Sequence, residues 1–259
     1  MGKIRSIIFL LFLSLQFVAL ATKPFRFALF TDMHISVLKP QNAEDLKLAI
    51  NEVNTDCGIE FVLISGDDTD LGDSLSLLGV KNTLKALKVP FYITTGNHDT
   101  AYGTIGSARF LKVFGSDKFS FAAHGFQFIG FPTGPVKGGK FGHVAAEDID
   151  FAKTSLNKIA NKPIFIITHY PLMEGDVDNR MDLINILHKA NVKAVLNGHY
   201  HRNVLLNYDG IPGIVNRSTQ RAKEVVGGYS IYTVSDSLKV AEKRIGQAEN
   251  TWLTLPLQN

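Results

Sequence analysis

The chain has 259 residues, of which 45% are hydrophobic and 20% charged, and its formal net charge is +3. This is an ordinary globular composition, long enough to bury one large core, and no repeat or low-complexity tract interrupts it. The near-neutral charge gives no basic footprint, so a nucleic acid is not the expected partner.

The first 21 residues have the pattern of a secretory signal peptide. Lys3 and Arg5 precede an apolar run over 7–20, which ends in the small-x-small sequence Ala19-Leu20-Ala21. At 14 residues the run is shorter than the roughly 20 that a membrane-spanning helix needs. We expect cleavage after Ala21, no stable transmembrane anchor, a mature domain over 22–259, and a secreted or periplasmic location. An uncleaved membrane anchor is the alternative.

From residue 25 onward, apolar runs of strand length alternate with segments of helical spacing. The predicted elements, in chain order, are a strand at 25–30, a helix at 42–53, a strand at 61–64, a helix at 75–87, a strand at 91–95, a hairpin of 119–121 and 126–131 about His124-Gly125, a helix at 145–159, a strand at 164–167, a helix at 183–190 and a strand at 194–196. From Asn203 onward strands dominate, with turns predicted at Asp209-Gly210 and Gly227-Gly228. This order indicates an α/β fold with two sheets flanked by helices.

Short polar motifs follow five of the predicted strands. They are Asp32-Met33-His34, Gly66-Asp67, Gly96-Asn97-His98-Asp99, His169 and Gly198-His199-Tyr200-His201. Open α/β sheets build ligand sites at the carboxyl ends of their strands, so these motifs can meet in one crevice. The glycines allow tight turns and close backbone approach. Carboxylate, imidazole and amide ligands together favour Mn, Fe, Zn or Co over an all-oxygen Ca or Mg site.

These motifs, in this order and at this spacing, resemble the calcineurin-like metallophosphoesterase family. The family pattern is D-x-H, G-D, G-N-H-[DE], a lone His and G-H-x-H, and the resemblance covers residues 25–245. It implies two mixed β-sheets packed as a sandwich flanked by helices. It also implies a metal-dependent phosphoric ester hydrolase with two divalent or trivalent transition-metal ions, acting on a small-molecule phosphomonoester or phosphodiester.

The resemblance also implies roles for single residues. One metal would be held by Asp32, His34, Asp67 and His201, and the other by Asp67, Asn97, His169 and His199. A hydroxide bridging the two ions would attack phosphorus in line. His98 would be catalytic, facing the substrate and protonating the leaving group. Asp99 is expected to orient the His98 ring and to favour its charged form.

Two other functions fit the same motifs. A binding or scaffold module of this fold that had lost its chemistry would tend to lack a ligand or the histidine of G-N-H, and this chain retains them all. A nuclease of this fold would need a basic groove, which the charge balance does not indicate. An enzyme is therefore favoured, with its oligomeric state open.

The remaining candidates are weaker. His124 and His188 are expected to be surface or packing residues, and His143 either that or a residue at the border of the pocket. Cys57, the one cysteine, is expected to be a small packing residue, and Arg202 either a phosphate contact or a solvated arginine. Purple acid phosphatases of the wider superfamily carry a tyrosine where Asp70 stands, so no iron-tyrosinate site is expected. Loops at 100–118, 132–146 and 171–182 would set the substrate.

Overall fold

The structure, a computed structural model, describes residues 23–100, 104–135, 141–159, 161–223 and 225–257, without the side chains of 104–106. The predicted signal peptide lies outside these residues, so its cleavage remains a prediction. Within the described ranges, no helix combines the length and the apolar character that crossing a bilayer requires.

The described ranges contain twelve strands and five helices. The strands are β1 (Phe25–Phe30), β2 (Ile59–Ile64), β3 (Phe91–Ile93), β4 (Phe119–Ala123), β5 (Phe126–Gly130), β6 (Ile164–Ile167), β7 (Val192–Asn197), β8 (Val204–Tyr208), β9 (Ile211–Val215), β10 (Gly228–Val234), β11 (Ser237–Arg244) and β12 (Glu249–Pro256). The helices are α1 (Pro40–Thr55), α2 (Ser74–Leu84), α3 (Thr104–Phe114), α4 (Ala146–Asn157) and α5 (Arg180–Leu187).

The strands form two six-stranded mixed sheets. Their orders are β12-β11-β10-β1-β2-β3 and β4-β5-β6-β7-β9-β8. In the first sheet β1, β2 and β3 run parallel, and in the second β5, β6, β7 and β9 do. Parallel strands end at the same edge, so each sheet delivers several loops to one edge.

Three apolar layers hold the sheets and helices together. Between the sheets, the ring of Phe27 lies 4.8 Å from Tyr232 and 5.1 Å from Phe61, nearly parallel to both. A second cluster packs α1, α2 and α3 onto the first sheet, and a third packs α4 and α5 onto the second. Burial of large aromatic rings is a main source of core stability. The predicted sandwich of two mixed sheets flanked by helices is confirmed.

Three local predictions are wrong. Residues 104–114, predicted as loop, form α3, because the buried Phe110 packs into the core beside Phe114 although the segment begins with weak helix formers. Gly228 lies not in a turn but in β10 opposite Arg244, where an added Cβ would collide with Lys243 and Arg217. Cys57 is exposed in the connection between α1 and β2.

Candidate metal centre

The predicted site residues converge where strands of the two sheets end. Seven of them form three overlapping groups whose possible ligand atoms lie within 4.8 Å of one another. The groups are Asp32, His34 and His201; His34, Asp67 and His98; and Asp67, His169 and His199. Asn97, the one predicted ligand outside these groups, is buried directly before His98, whose backbone N–H donates to the Asp67 carboxylate at 2.9 Å.

The first group joins the loop after β1 to the loop after β7. Nε2 of His201 lies 3.1 Å from Oδ1 of Asp32 and 3.3 Å from Nε2 of His34. The backbone N–H of His199 donates to both carboxylate oxygens of Asp32, at 3.1 and 3.0 Å. One carboxylate therefore fixes the G-H-x-H loop against the D-x-H loop.

Asp67 belongs to both of the other groups. Its Oδ2 is 3.2 Å from Nε2 of His169 and 3.7 Å from Nε2 of His34. The two histidines come from different sheets, one after β6 and the other after β1. A single buried oxygen thus faces both halves of the site, as a bridging ligand must.

The backbone at the site is unusual. Asp32, His34, Asp67, His199 and His201 all have positive φ, between 46° and 72°. This left-handed conformation costs a residue other than glycine on the order of 1–3 kcal/mol and tends to persist at functional sites. Gly96 serves the same packing, since a Cβ there would overlap the carboxylate of Asp67. The predicted need for glycine at 96 is confirmed.

Four carboxyl groups are buried together, those of Asp32, Asp67, Asp68 and Asp99. Within the described ranges none of them contacts a lysine or arginine. Burial raises the pKa of Asp68 well above its ordinary value and that of Asp99 to about 6, whereas nearby histidines outweigh burial and lower the pKa of Asp32 and Asp67. Asp32 and Asp67 are therefore the charged members, and because buried charges are costly unless paired, they need positive charge that the described side chains supply only through histidine. The donor set fits two transition-metal ions.

Two histidines at the centre have pKa values shifted in opposite directions. Burial disfavours the charged form of His169, but the carboxylates of Asp67 and Asp32 outweigh it and raise its pKa to about 9. Burial, reinforced by His169, lowers the pKa of His199 to about 4. Among the described residues, Nε2 of His169 has no well-formed hydrogen bond although it is fully buried. An imidazole nitrogen aimed into a carboxylate cluster in this way is suited to a cation.

Outer partners hold the histidine rings. From the sequence, Asp70 is expected either to be such a partner or to be solvated, whereas Ser65 and Gln220 are missed. Nδ1 of His169 lies 3.0 Å from the Ser65 carbonyl oxygen, Nδ1 of His34 lies 3.2 Å from the Asp70 carboxylate, and Nδ1 of His201 lies 3.1 Å from the Gln220 amide. Such partners fix the orientation of metal-binding imidazoles. Asp70 carried a signal, as it stands at the tyrosine position of purple acid phosphatases, whereas Gln220 follows no predicted strand end.

The expected role of Asp99 in orienting His98 is wrong. The Asp99 carboxylate accepts hydrogen bonds from the backbone N–H groups of Asp68, Thr69 and Gly96 and from the Thr69 hydroxyl, at 2.9–3.1 Å. Nδ1 of His98 lies instead 2.8 Å from the carbonyl oxygen of Asp70. Asp99 therefore joins the G-D loop to the G-N-H loop, because buried backbone donors claim both of its oxygens.

The other candidate residues lie outside the three groups and contact other side chains. His124 contacts Glu60 at 2.6 Å, His143 contacts Asp178 at 2.7 Å, and His188 contacts Asp209 at 3.4 Å. Arg202 is exposed and lies over the ring of Tyr200, with 5.6 Å between guanidinium carbon and ring centroid. Asp73 caps α2 by accepting from the Ser76 N–H.

Comparison with known proteins agrees with this geometry. A family model described as calcineurin-like phosphoesterase matches residues 25–203. The chain is 30% identical over 156 residues to a probable glycerophosphodiester phosphodiesterase of Arcobacter nitrofigilis, and this match covers 55% of the chain and 57% of that protein. It is 24% identical over 198 residues to a 3',5'-cyclic-nucleotide phosphodiesterase of Nostoc, over 69% and 72% of the two chains.

The match thus spans little more than half the length of the first of these relatives. Among solved structures, a dimetal phosphatase from Danio rerio superposes with a TM-score of 0.70 at 15% identity, over 90% of this chain and 99% of that one. This likeness shows a shared fold.

Proposed function

The chain belongs to the calcineurin-like phosphoesterase family of metal-dependent phosphoric ester hydrolases, and on that premise we propose that it hydrolyses small phosphate esters at a site for two metal ions. The observation that carries the proposal is the position of Asp67, whose Oδ2 faces His169 at 3.2 Å and His34 at 3.7 Å. A carboxylate so placed can join two cations about 3.5–4 Å apart.

We assign the metal ligands accordingly. The first site takes Asp32, His34, Asp67 and His201, and the second takes Asp67, Asn97, His169 and His199. When bound, two such ions acidify a water molecule and neutralise phosphate oxygens. An imidazole must give up its proton before it binds metal. His199, whose pKa burial lowers to about 4, is already neutral, whereas His169, whose pKa Asp67 and Asp32 raise to about 9, would release a proton as the ion binds.

The remaining chemistry falls to His98. Its side chain is 30% exposed at the mouth of the site, and Nε2 lies 4.0 Å from Oδ2 of Asp67. The Asp70 carbonyl oxygen can only accept a hydrogen bond, so Nδ1 of His98 carries the hydrogen of this contact and Nε2 is the nitrogen presented to the site. This arrangement suits a general acid for the leaving alkoxide. The same position would also allow His98 to bind metal. Counting the metal ions bound by a His98 variant distinguishes the two roles.

Analogy with the relatives narrows the class of phosphate ester that we expect as substrate. The two curated relatives described above are both named phosphodiesterases, which favours a phosphodiester over a monoester. A silent scaffold module is disfavoured, because the structure brings the predicted ligands together. A nuclease is also disfavoured, because it would need a basic stripe beside the site and the charge balance of the sequence does not indicate one.

Export of the protein is a separate proposal. It rests on Lys3, Arg5 and the apolar run that ends at Ala21. N-terminal sequencing of the protein recovered from an exporting host tests it. A chain that begins at Thr22 supports cleavage, and Met1 retained in a membrane fraction contradicts it.

The test of function uses matched variants. Purified protein loaded in turn with Mn, Fe, Zn and Co is assayed on 4-nitrophenyl phosphate and bis(4-nitrophenyl) phosphate, with elemental analysis of each preparation. Asp67→Asn should lose activity together with both ions, whereas Asp150→Asn, an exposed change on α4, should lose neither. Activity that survives unchanged in Asp67→Asn would contradict the proposal.

A further inference from the structure

We propose that four exposed apolar side chains beside His98 bind the hydrocarbon part of the leaving group, so that the substrate is a phosphate ester of an alcohol carrying an alkyl or alkylaryl chain. We call these side chains, those of Val37, Leu38, Leu71 and Leu75, the apolar rim. The inference rests on the proposed phosphoesterase function and narrows it to a substrate class.

The rim is apolar surface that folding leaves in water. The four side chains are 68%, 80%, 60% and 71% exposed, in chain order. Single exposed leucines are normal on protein surfaces, but contiguous apolar patches mark binding sites. The question is therefore whether the four are contiguous and what they adjoin.

Backbone pairing brings the two rim segments together. Ile35 and Thr69 form a parallel bridge, and the N–H of Asp70 donates to the Ile35 carbonyl oxygen at 3.2 Å. Beyond this bridge, Val37 and Leu38 form a turn between Ser36 and Lys39, which pair with each other. The Lys39 side chain returns to the carboxylate of Asp70, the residue before Leu71. Leu75 follows in the first turn of α2, so the rim runs from the loop after β1 to the start of α2.

The charged side chains along the rim each have a partner. Lys39, next to Leu38, places Nζ 2.8 Å from the carboxylate of Asp70, which is next to Leu71. The two charges neutralise each other at the inner edge of the patch. Asp73, between Leu71 and Leu75, accepts from the Ser76 N–H at the start of α2. Apolar surface therefore predominates along the rim.

The rim adjoins the site on the His98 side. Asp70 contacts both His98, through its carbonyl oxygen at 2.8 Å, and His34, through its carboxylate at 3.2 Å. Gly72 packs so tightly on the backbone of His98 and Asp99 that a Cβ would overlap it. The His98 ring therefore lies between the site, which its Nε2 faces, and the backbone segment that carries Leu71, which its Nδ1 contacts. A long chain on a leaving group protonated by Nε2 can pass the edge of this ring and cover the rim.

The test is a series of 4-alkylphenyl phosphodiesters with a methyl group on the other ester, running from 4-methyl to 4-hexyl. The alkyl chain barely changes the acidity of the phenol, so the chemistry stays constant while the chain lengthens. Full burial of a methylene corresponds to about fourfold in binding. Because the rim covers one side of the chain, we expect kcat/KM to rise roughly twofold per methylene, half of that free energy.

The double variant Leu38→Ser with Leu71→Ser should show a weaker rise of kcat/KM with chain length. Its loss of kcat/KM relative to wild type should therefore grow as the chain lengthens. Leu205→Ser, a control of similar chemistry at a 45% exposed position on β8, should keep the wild-type slope. Equal slopes in wild type and double variant would overturn the inference. A flat wild-type slope, with self-association that the double variant abolishes in sedimentation, would assign the rim to a second copy of the chain and overturn it as well.

Binding without turnover separates this inference from the proposed function. Calorimetry of the metal-loaded protein with 4-alkylbenzylphosphonates, which cannot be hydrolysed, should show Kd falling with chain length in wild type and less in the double variant. Chain-dependent binding without hydrolysis of any ester would support the rim and refute the enzyme. Hydrolysis with chain-independent binding would do the reverse.

Discussion

Nδ1 of His98 lies 2.8 Å from the backbone carbonyl oxygen of Asp70. The carboxylate of the same aspartate lies 3.2 Å from Nδ1 of His34, so one residue orients both the expected acid and an expected metal ligand. Because a carbonyl oxygen only accepts, the His98 ring keeps its hydrogen on Nδ1 and presents Nε2 to the site. The account of leaving-group protonation depends on this contact.

Replacement of His98 by alanine should retain the metal count while lowering turnover. A positioned acid typically contributes roughly 10²–10⁴-fold, and the loss should shrink for a 4-nitrophenolate leaving group, which needs little protonation. The measurements are metal content and the leaving-group dependence of kcat/KM on one preparation, with His188→Ala as a control. A metal-depleted His98→Ala protein would show that His98 is a ligand.

Gln220 should act as a positioning residue for His201. Its backbone N–H donates to the Asp32 carbonyl oxygen at 3.2 Å, and its side-chain amide lies 3.1 Å from Nδ1 of His201. Loss of an outer partner typically costs a metal site about 10–100-fold in affinity. Gln220→Ala should therefore weaken one of the two ions in a metal titration.

Gln220→Glu provides the test of rescue. The amide nitrogen of Gln220 faces Nδ1 in the structure. A His201 that binds metal through Nε2 would carry a hydrogen on Nδ1, and a carboxylate can accept from it, so this variant should recover most of the lost affinity. If alanine and glutamate variants both bind two ions as tightly as wild type, Gln220 has no positioning role.

Asp99 should matter for stability before it matters for chemistry. Its alanine variant leaves three buried backbone N–H groups without their acceptor, at about 1–3 kcal/mol for each group. We expect a loss on the order of 3 kcal/mol in the unfolding free energy of the metal-free protein, measured in urea. Asp73→Ala, which removes the cap of α2, should cost about 1 kcal/mol. An Asp99→Ala protein as stable as wild type would contradict the joining role.

The stability of the fold should carry a pH signature from Asp148. Burial raises the pKa of Asp148 to about 6, outweighing the opposing effect of the Lys118 ammonium 2.8 Å away. Between about pH 4 and pH 6 the native state therefore holds a proton that the unfolded chain releases, so this contribution to the unfolding free energy falls as pH rises.

Asp148→Asn removes that contribution. Relative to wild type, the variant should gain roughly 1–3 kcal/mol between pH 4 and pH 7. Asp150→Asn, two residues along the same helix and exposed, should track wild type at every pH. Parallel stability curves for wild type and Asp148→Asn would contradict the buried state of this carboxyl.

Much of the site could be predicted because its residues follow strand ends. The apolar runs before Asp32, Asp67 and His169 predict strands, and parallel strands deliver their loops to one edge. The fold class follows from the same alternation. The local sequence pattern could not predict contacts between residues that lie far apart in the chain.

The failures share that cause. Helix α3 depends on the burial of Phe110 in the core rather than on helix propensity. The position of Asp99 directly after His98 predicts a role in orienting the His98 ring. Its oxygens instead accept from backbone N–H groups 30 and 31 residues away as well as from Gly96 nearby. Gln220 reaches His201 only because its segment pairs with the loop after β1.

The most direct test of the central claim is a metal titration of the stripped protein, followed by elemental analysis and by hydrolysis of bis(4-nitrophenyl) phosphate at each step. The account predicts two tightly held transition-metal ions per chain, with activity that appears as the second ion binds and with neither ion retained by Asp67→Asn. Full activity in metal-free protein, or two bound ions with no hydrolysis of any phosphate ester, would contradict it.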